Sequence, residues 1–198
     1  MNQIELSTEV INNSLKEARR TMEKFVSDPA VGEAIEKAAC LIGNALQKKG
    51  KVITCGNGGS LCDATHFAEE LTGRFRNNRC PLPAIAINDP AHITCVANDY
   101  GYDDIFSNYI EALGNGNDVL IGFSTSGNSE NVVRAAVKAR EKGMKVIGMT
   151  RKGNNQLSEL ADVTIAADHK GFSDRIQEMH ILAVHIIIER VEQILSVN

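Results

Sequence analysis

His66 and Glu70 stand four residues apart in the run His66-Phe67-Ala68-Glu69-Glu70. On a helix this spacing stacks an imidazole and a carboxylate on one face, about a turn apart. The pair suits a divalent metal or acid/base chemistry, and it suits an ordinary surface ion pair equally. Two strings of candidate anion ligands lie on either side of it. Gly56-Asn57-Gly58-Gly59 comes just before, and Ser124-Thr125-Ser126-Gly127-Asn128-Ser129 comes well after. The first can offer backbone N–H groups, the second four hydroxyls within six residues. Near the end, Gln177, Glu178, His180 and His185 interrupt an apolar segment, where each polar group needs a partner.

The elements that must position these groups can be read from the apolar pattern. Val52 to Cys55 reads as a buried strand that breaks at the glycine run. A helix follows to Leu71, with Ser60 as its expected N-cap, Asp63 in the capping-box position, and Gly73 and Arg74 at its end. Strand, glycine loop and helix together aim backbone N–H groups and the positive end of a helix dipole into one crevice. The loop has no Lys-Ser/Thr after a six-residue spacer and lacks the third glycine of a dinucleotide fingerprint, so neither nucleotide motif is present. Asp118 to Phe123 repeats the design: a strand runs into the serine loop, and a helix follows from Asn131 to Lys142. A cap needs one serine, and the surplus hydroxyls point to a phosphate. Two such loops after separate strands are more specific than either alone.

Around them, residues 2–27 and 31–49 predict two amphipathic helices, whose small inner face suits either core packing or a subunit interface. Pro83 to Asn88, Lys145 to Met149 and Asp162 to Ala166 read as further strands. Ala91 to Ala97, Asp104 to Leu113 and Gln156 to Leu160 read as helices, with Asn98-Asp99-Tyr100-Gly101 as a turn. The last helix starts at Ser173 or Asp174 and is apolar nearly all round from Ile181 to Ile188, which predicts burial. The alternation predicts an α/β fold: a doubly wound, flavodoxin-like, five-stranded parallel sheet with ligands at the strands' carboxyl ends.

The chain of 198 residues, with 43% hydrophobic and 23% charged, reads as one domain spanning 1–198: N-terminal helices over 1–49 and an α/β core over 50–198. A formal charge of −4 argues against a broad nucleic-acid or anionic-membrane surface. The polar, acidic start MNQIELSTEV and the lack of a long apolar run lead to the expectation of a cytoplasmic protein. Cys40, Cys55, Cys62, Cys80 and Cys95 form no C-x-x-C pair and suggest reduced thiols, with Cys55 and Cys95 packing as small hydrophobes.

CGNGGSLCDATHFAEELTGRF, NDYGYDDIF, STSGNS and DRIQEMHILAVH, in this order and over essentially the whole chain, closely resemble the bacterial phosphoheptose isomerases of the sugar isomerase (SIS) domain family. The resemblance implies interconversion of D-sedoheptulose 7-phosphate and D-glycero-D-manno-heptose 7-phosphate, toward the heptose of the lipopolysaccharide core. It implies one divalent metal per subunit, zinc in characterised relatives, held by His66, Glu70, Gln177 and His185. It implies substrate contacts at Asn57, Gly58, Gly59, Glu70, Asn98, Asp99, Ser124, Thr125, Ser126, Ser129 and Gln177, with Glu70 and His185 as the acid/base groups. The family's homotetramer is implied as well. Gln177 and His185 are eight residues apart, about 12 Å along a straight helix and roughly 80° around it. That awkward spacing raises the expectation that sites lie between subunits. A non-catalytic SIS module, binding a sugar phosphate or the replication initiator, is the competing function; in the initiator-binding relative the Ala-Glu-Glu is replaced by non-acidic residues, so Ala68-Glu69-Glu70 favours the enzyme.

Overall fold

In the computed structural model, which describes residues 3–195, five strands occupy the apolar runs expected for them. They are β1 (Val52–Gly56), β2 (Ala84–Ala86), β3 (Val119–Phe123), β4 (Lys145–Arg151) and β5 (Val163–Ala167). All pair in parallel, in the order β2-β1-β3-β4-β5. Residue 2, where the first helix is expected to begin, and residues 196–198 lie outside the described residues. The chain steps from β1 out to β2 and then back across to β3, whose register with β1 runs from Val52↔Val119 to Gly56↔Phe123. That reversal opens a crevice at the carboxyl ends of β1 and β3.

The helices are α1 (Gln3–Ser27), α2 (Pro29–Gln47), α3 (Gly59–Thr72), α4 (Pro90–Asp99), α5 (Ser107–Leu113), α6 (Glu130–Glu141), α7 (Gln156–Leu160) and α8 (Asp174–Leu195), with a 3-10 turn at Tyr102–Asp104. They cover both faces of the sheet, as the two-residue period of β3 requires. Val119, Ile121 and Phe123 pack with α2, α3 and α8, while Leu120 joins the core beneath α4, α5, α6 and α7. Every residue of β1 and β3 is buried. Each buried Val, Ile or Phe contributes about 1.5–3 kcal/mol, which fixes the sheet edge that carries both loops.

Four expectations change. The two N-terminal helices part company: α2 buries Ala38, Ala39 and Ile42 completely, whereas α1 leaves Ile11, Leu15, Met22 and Val26 exposed. The last helix is not covered all round, because Ile186 is exposed and Leu182 only half-buried. Cys95 is exposed, since α4 buries only Val96; Cys55 is buried, and burial pushes its thiol up to about 12. Asn98-Asp99 is the last turn of α4 rather than a free turn. Asp89 caps the His92 amide ahead of Pro90, and the helix runs on to the bend at Gly101, φ 108°.

Candidate active site

β1 delivers the chain to Gly58, whose φ of 55° turns it into α3 two residues earlier than the serine predicts. The Leu61 and Cys62 amides bond to the Gly58 carbonyl, so Gly58 is the cap. Ser60 is buried within the first turn, and Asp63, freed from capping, accepts a hydrogen bond from the Gln177 amide at 2.5 Å. Asn57 faces the other way: it donates to Asn131 of α6 at 2.8 Å and accepts from Tyr102 Oη at 2.9 Å. Asn131 and Tyr102 escaped the sequence reasoning, since neither sits in a strand-to-helix loop after β1.

The serine loop is organised by its own hydroxyls. Ser124 Oγ lies 2.9 Å from Ser129 Oγ and 3.4 Å from Ser126 Oγ, and it accepts from the Gly127 amide at 3.1 Å. Ser129 is the N-cap residue of α6, and its side chain makes no capping bond. Gly127 has φ 71°, and a Cβ there would lie 2.0 Å from Asn155 Oδ1, so no other residue fits. Arg151, at the end of β4, donates from Nε to the Thr125 carbonyl at 3.0 Å. It brings a cation to an otherwise neutral loop; its place at a strand's carboxyl end was the signal that could have found it. Asn57, Gly59, Ser60, Thr125, Ser173, Asp174 and Gln177 together line a cavity of about 300 Å³.

Beyond that cavity, α3 and α8 meet through their imidazoles. His66 Nε2 lies 3.0 Å from His185 Nε2 and 3.4 Å from Glu70 Oε1, and the ligand atoms of the three residues all fall within 4.8 Å of one another. Two ring nitrogens facing each other can share one proton or both turn lone pairs to a cation. With a carboxylate beside them they match the His/carboxylate donor set of a divalent transition metal. One chain brings these three groups together. Gln177, about two turns ahead of His185 on α8, bonds Asp63, one turn before His66, and faces the glycine loop. Burial pushes the Asp63 carboxyl up to about 6, against the Gln177 hydrogen bond, which lowers it. Asp63 Oδ2 has no partner among the described residues.

The remaining sequence-predicted residues separate. Asn98 donates to Asp99 Oδ1 at 2.7 Å; both are exposed and neither lines the cavity. Glu178 pairs with Arg175. His180 is fully buried, its Nε2 donating to the Thr150 carbonyl at 3.2 Å, and burial drops its pKa to about 4.

A parallel sheet of this order, with a glycine loop and a serine loop at its switch point and a His/Glu/His group one helix away, is the arrangement of a small-ligand site at the carboxyl ends of the strands. The family model for the SIS domain matches residues 15–151. A phosphoheptose isomerase from Pectobacterium atrosepticum is 55% identical over 185 residues, 93% of this chain and 96% of that one. Solved phosphoheptose isomerases from Neisseria gonorrhoeae and Francisella tularensis superpose with TM-scores of 0.87 and 0.88 at 36% and 35% identity, each covering 94% of this chain and 98% of theirs. The chain belongs to the phosphoheptose isomerase family of SIS-domain enzymes.

Proposed function

We propose that this isomerase interconverts D-sedoheptulose 7-phosphate and D-glycero-D-manno-heptose 7-phosphate, with Glu70 and His185 as its acid/base pair. The observation that carries the assignment is the His66, Glu70 and His185 group within 4.8 Å on α3 and α8, with the glycine loop at the head of α3 and the serine loop at the head of α6. Ketose-to-aldose conversion takes a proton from C1, returns it to C2, and moves a second proton from O1 to O2. It needs a base, an acid and a means of holding enediolate charge. Glu70, with its side chain 15% exposed, is shielded enough to keep a proton between its removal and return. His185, beside it, carries the oxygen proton. The hydroxyls of Ser124, Ser126 and Ser129, the Thr125 segment and the amides of Gly58 and Gly59 hold the phosphate at the far end. Asn57 and Gln177 contact the sugar between them.

His66, Glu70 and His185 would hold a divalent metal, zinc by the chemistry of the donor set, and such an ion polarises a carbonyl oxygen. Gln177, whose Nε2 is bonded to Asp63, would supply the fourth ligand through its carbonyl oxygen. Asn98 and Asp99 would contact the substrate from the end of α4. The exposed apolar side chains of α1 support a homotetramer. No helix among the described residues is long and apolar enough to cross a membrane, which supports a cytoplasmic enzyme supplying heptose for lipopolysaccharide. Incubation with sedoheptulose 7-phosphate should yield the aldose phosphate. Tight binding of the sugar phosphate without turnover would instead support a non-catalytic SIS module.

A further inference from the structure

Between α3 and β2 the chain runs through Gly73 to Pro83 without regular structure, yet three of its side chains lie along a single face of α8. Phe75 stacks on the His185 ring, with centroids 5.9 Å apart and planes 25° from parallel. Arg76 pairs with Glu189 at 2.6 Å, and Arg79 pairs with Glu192. Positions 185, 189 and 192 are spaced i, i+4, i+7, one stripe of the helix. The last of these contacts is built into the core: the Arg79 side chain is 1% exposed. Its guanidinium also donates to the Glu70 carbonyl at 2.5 Å and the Leu71 carbonyl at 2.8 Å. Those are terminal carbonyls of α3, which the helix itself leaves without partners. A planar five-donor cation can bridge them and a carboxylate at once; lysine cannot.

We propose that this loop is a brace that sets the acid/base geometry, with Phe75 and Arg79 as positioning residues. The inference rests on reading His66, Glu70 and His185 as the reacting group. Phe75 fixes the plane of the His185 ring. Arg79 ties the backbone of Glu70, at the end of α3, to α8 two turns beyond His185, and so holds the spacing across which the two imidazole nitrogens sit 3.0 Å apart. Arg76 lies on the same stripe but outside the core: its side chain is 59% exposed, and its guanidinium sits over the Phe75 ring, 5.2 Å from the centroid. Exposed pairs of this kind carry little energy, which makes it the internal control.

The test measures kcat, KM, melting temperature and the NMR signals of the His185 ring in Phe75→Leu, Arg79→Lys, Arg79→Gln and Arg76→Gln. Phe75→Leu and Arg79→Gln should lower kcat on the order of 10- to 100-fold, as small misplacements of reacting groups do, with KM within about twofold because the phosphate loops are untouched. Arg79→Lys should recover part of the loss and Arg76→Gln should resemble the wild type. The His185 signals should move in Phe75→Leu and Arg79→Gln alone. A lower melting temperature with kcat and His185 signals unchanged would overturn the brace and leave the loop a purely structural element. His185 signals shifted in Phe75→Leu and Arg79→Gln, together with a wild type that turns over no sugar phosphate, would keep the brace and discard the isomerase reading instead.

Discussion

The two faces of α8 carry histidines five residues apart that do opposite things. His180 points into the core between Met179 and Ala183, fully buried, its one hydrogen bond given to a backbone carbonyl of β4. His185 is half-buried, and its Nε2 meets another imidazole rather than a carbonyl. Burial against a carbonyl keeps His180 neutral and makes it a packing residue; in the function proposed above, His185, beside His66 and Glu70, is the one that exchanges protons or binds an ion. The contrast is one of surroundings, since α8 supplies the same residue type at both places.

The largest effect belongs to the site face. Glu70→Gln keeps the shape and hydrogen bonding of the side chain but removes the base, and should cut turnover on the order of 100-fold or more with melting temperature near that of the wild type. Near-normal turnover would dissolve the contrast by removing the site face from the chemistry. Replacing Ser124, Ser126 and Ser129 together with Ala should raise KM for the sugar phosphate roughly 10- to 100-fold, through lost bonds to a charged group, and change binding of the unphosphorylated sugar far less. Equal losses for both ligands would assign the loop to the fold.

The smallest effect sharpens the core face. The His180 pKa of about 4 lies below its ordinary 6.5, so the fold favours the neutral ring. The stability this carries is present above pH 6.5 and is lost as pH falls toward 4, on the order of 3 kcal/mol in total. Denaturant unfolding at pH 7, 5.5 and 4.5 should show that decline in the wild type and a flatter one in His180→Gln. An unchanged decline would place the acid limit in other groups.

The strands were legible because fully buried parallel strands read as apolar runs, and Val119 to Phe123 is one. The His66/Glu70 pair was legible because helical spacing is local. What escaped the sequence depends on groups far apart in the chain. The cap of α3 moved from Ser60 to Gly58 through a positive φ that residue type permits but does not announce. Asp63 reads locally as a capping-box residue, and only the approach of α8 turns it to Gln177. Spacing along α8 alone could not separate His180 from His185, because the difference is made by β4 on one side and α3 on the other.

The separation of those two histidines is tested most directly by bound zinc per chain in purified His185→Ala and His180→Ala. The account predicts that His185→Ala, missing a ligand of the trio, retains well under half the metal of the wild type. His180→Ala should keep its full complement and lose stability instead, by about 1–3 kcal/mol. Full metal in His185→Ala with loss in His180→Ala would contradict it and move the site to the other face of the helix.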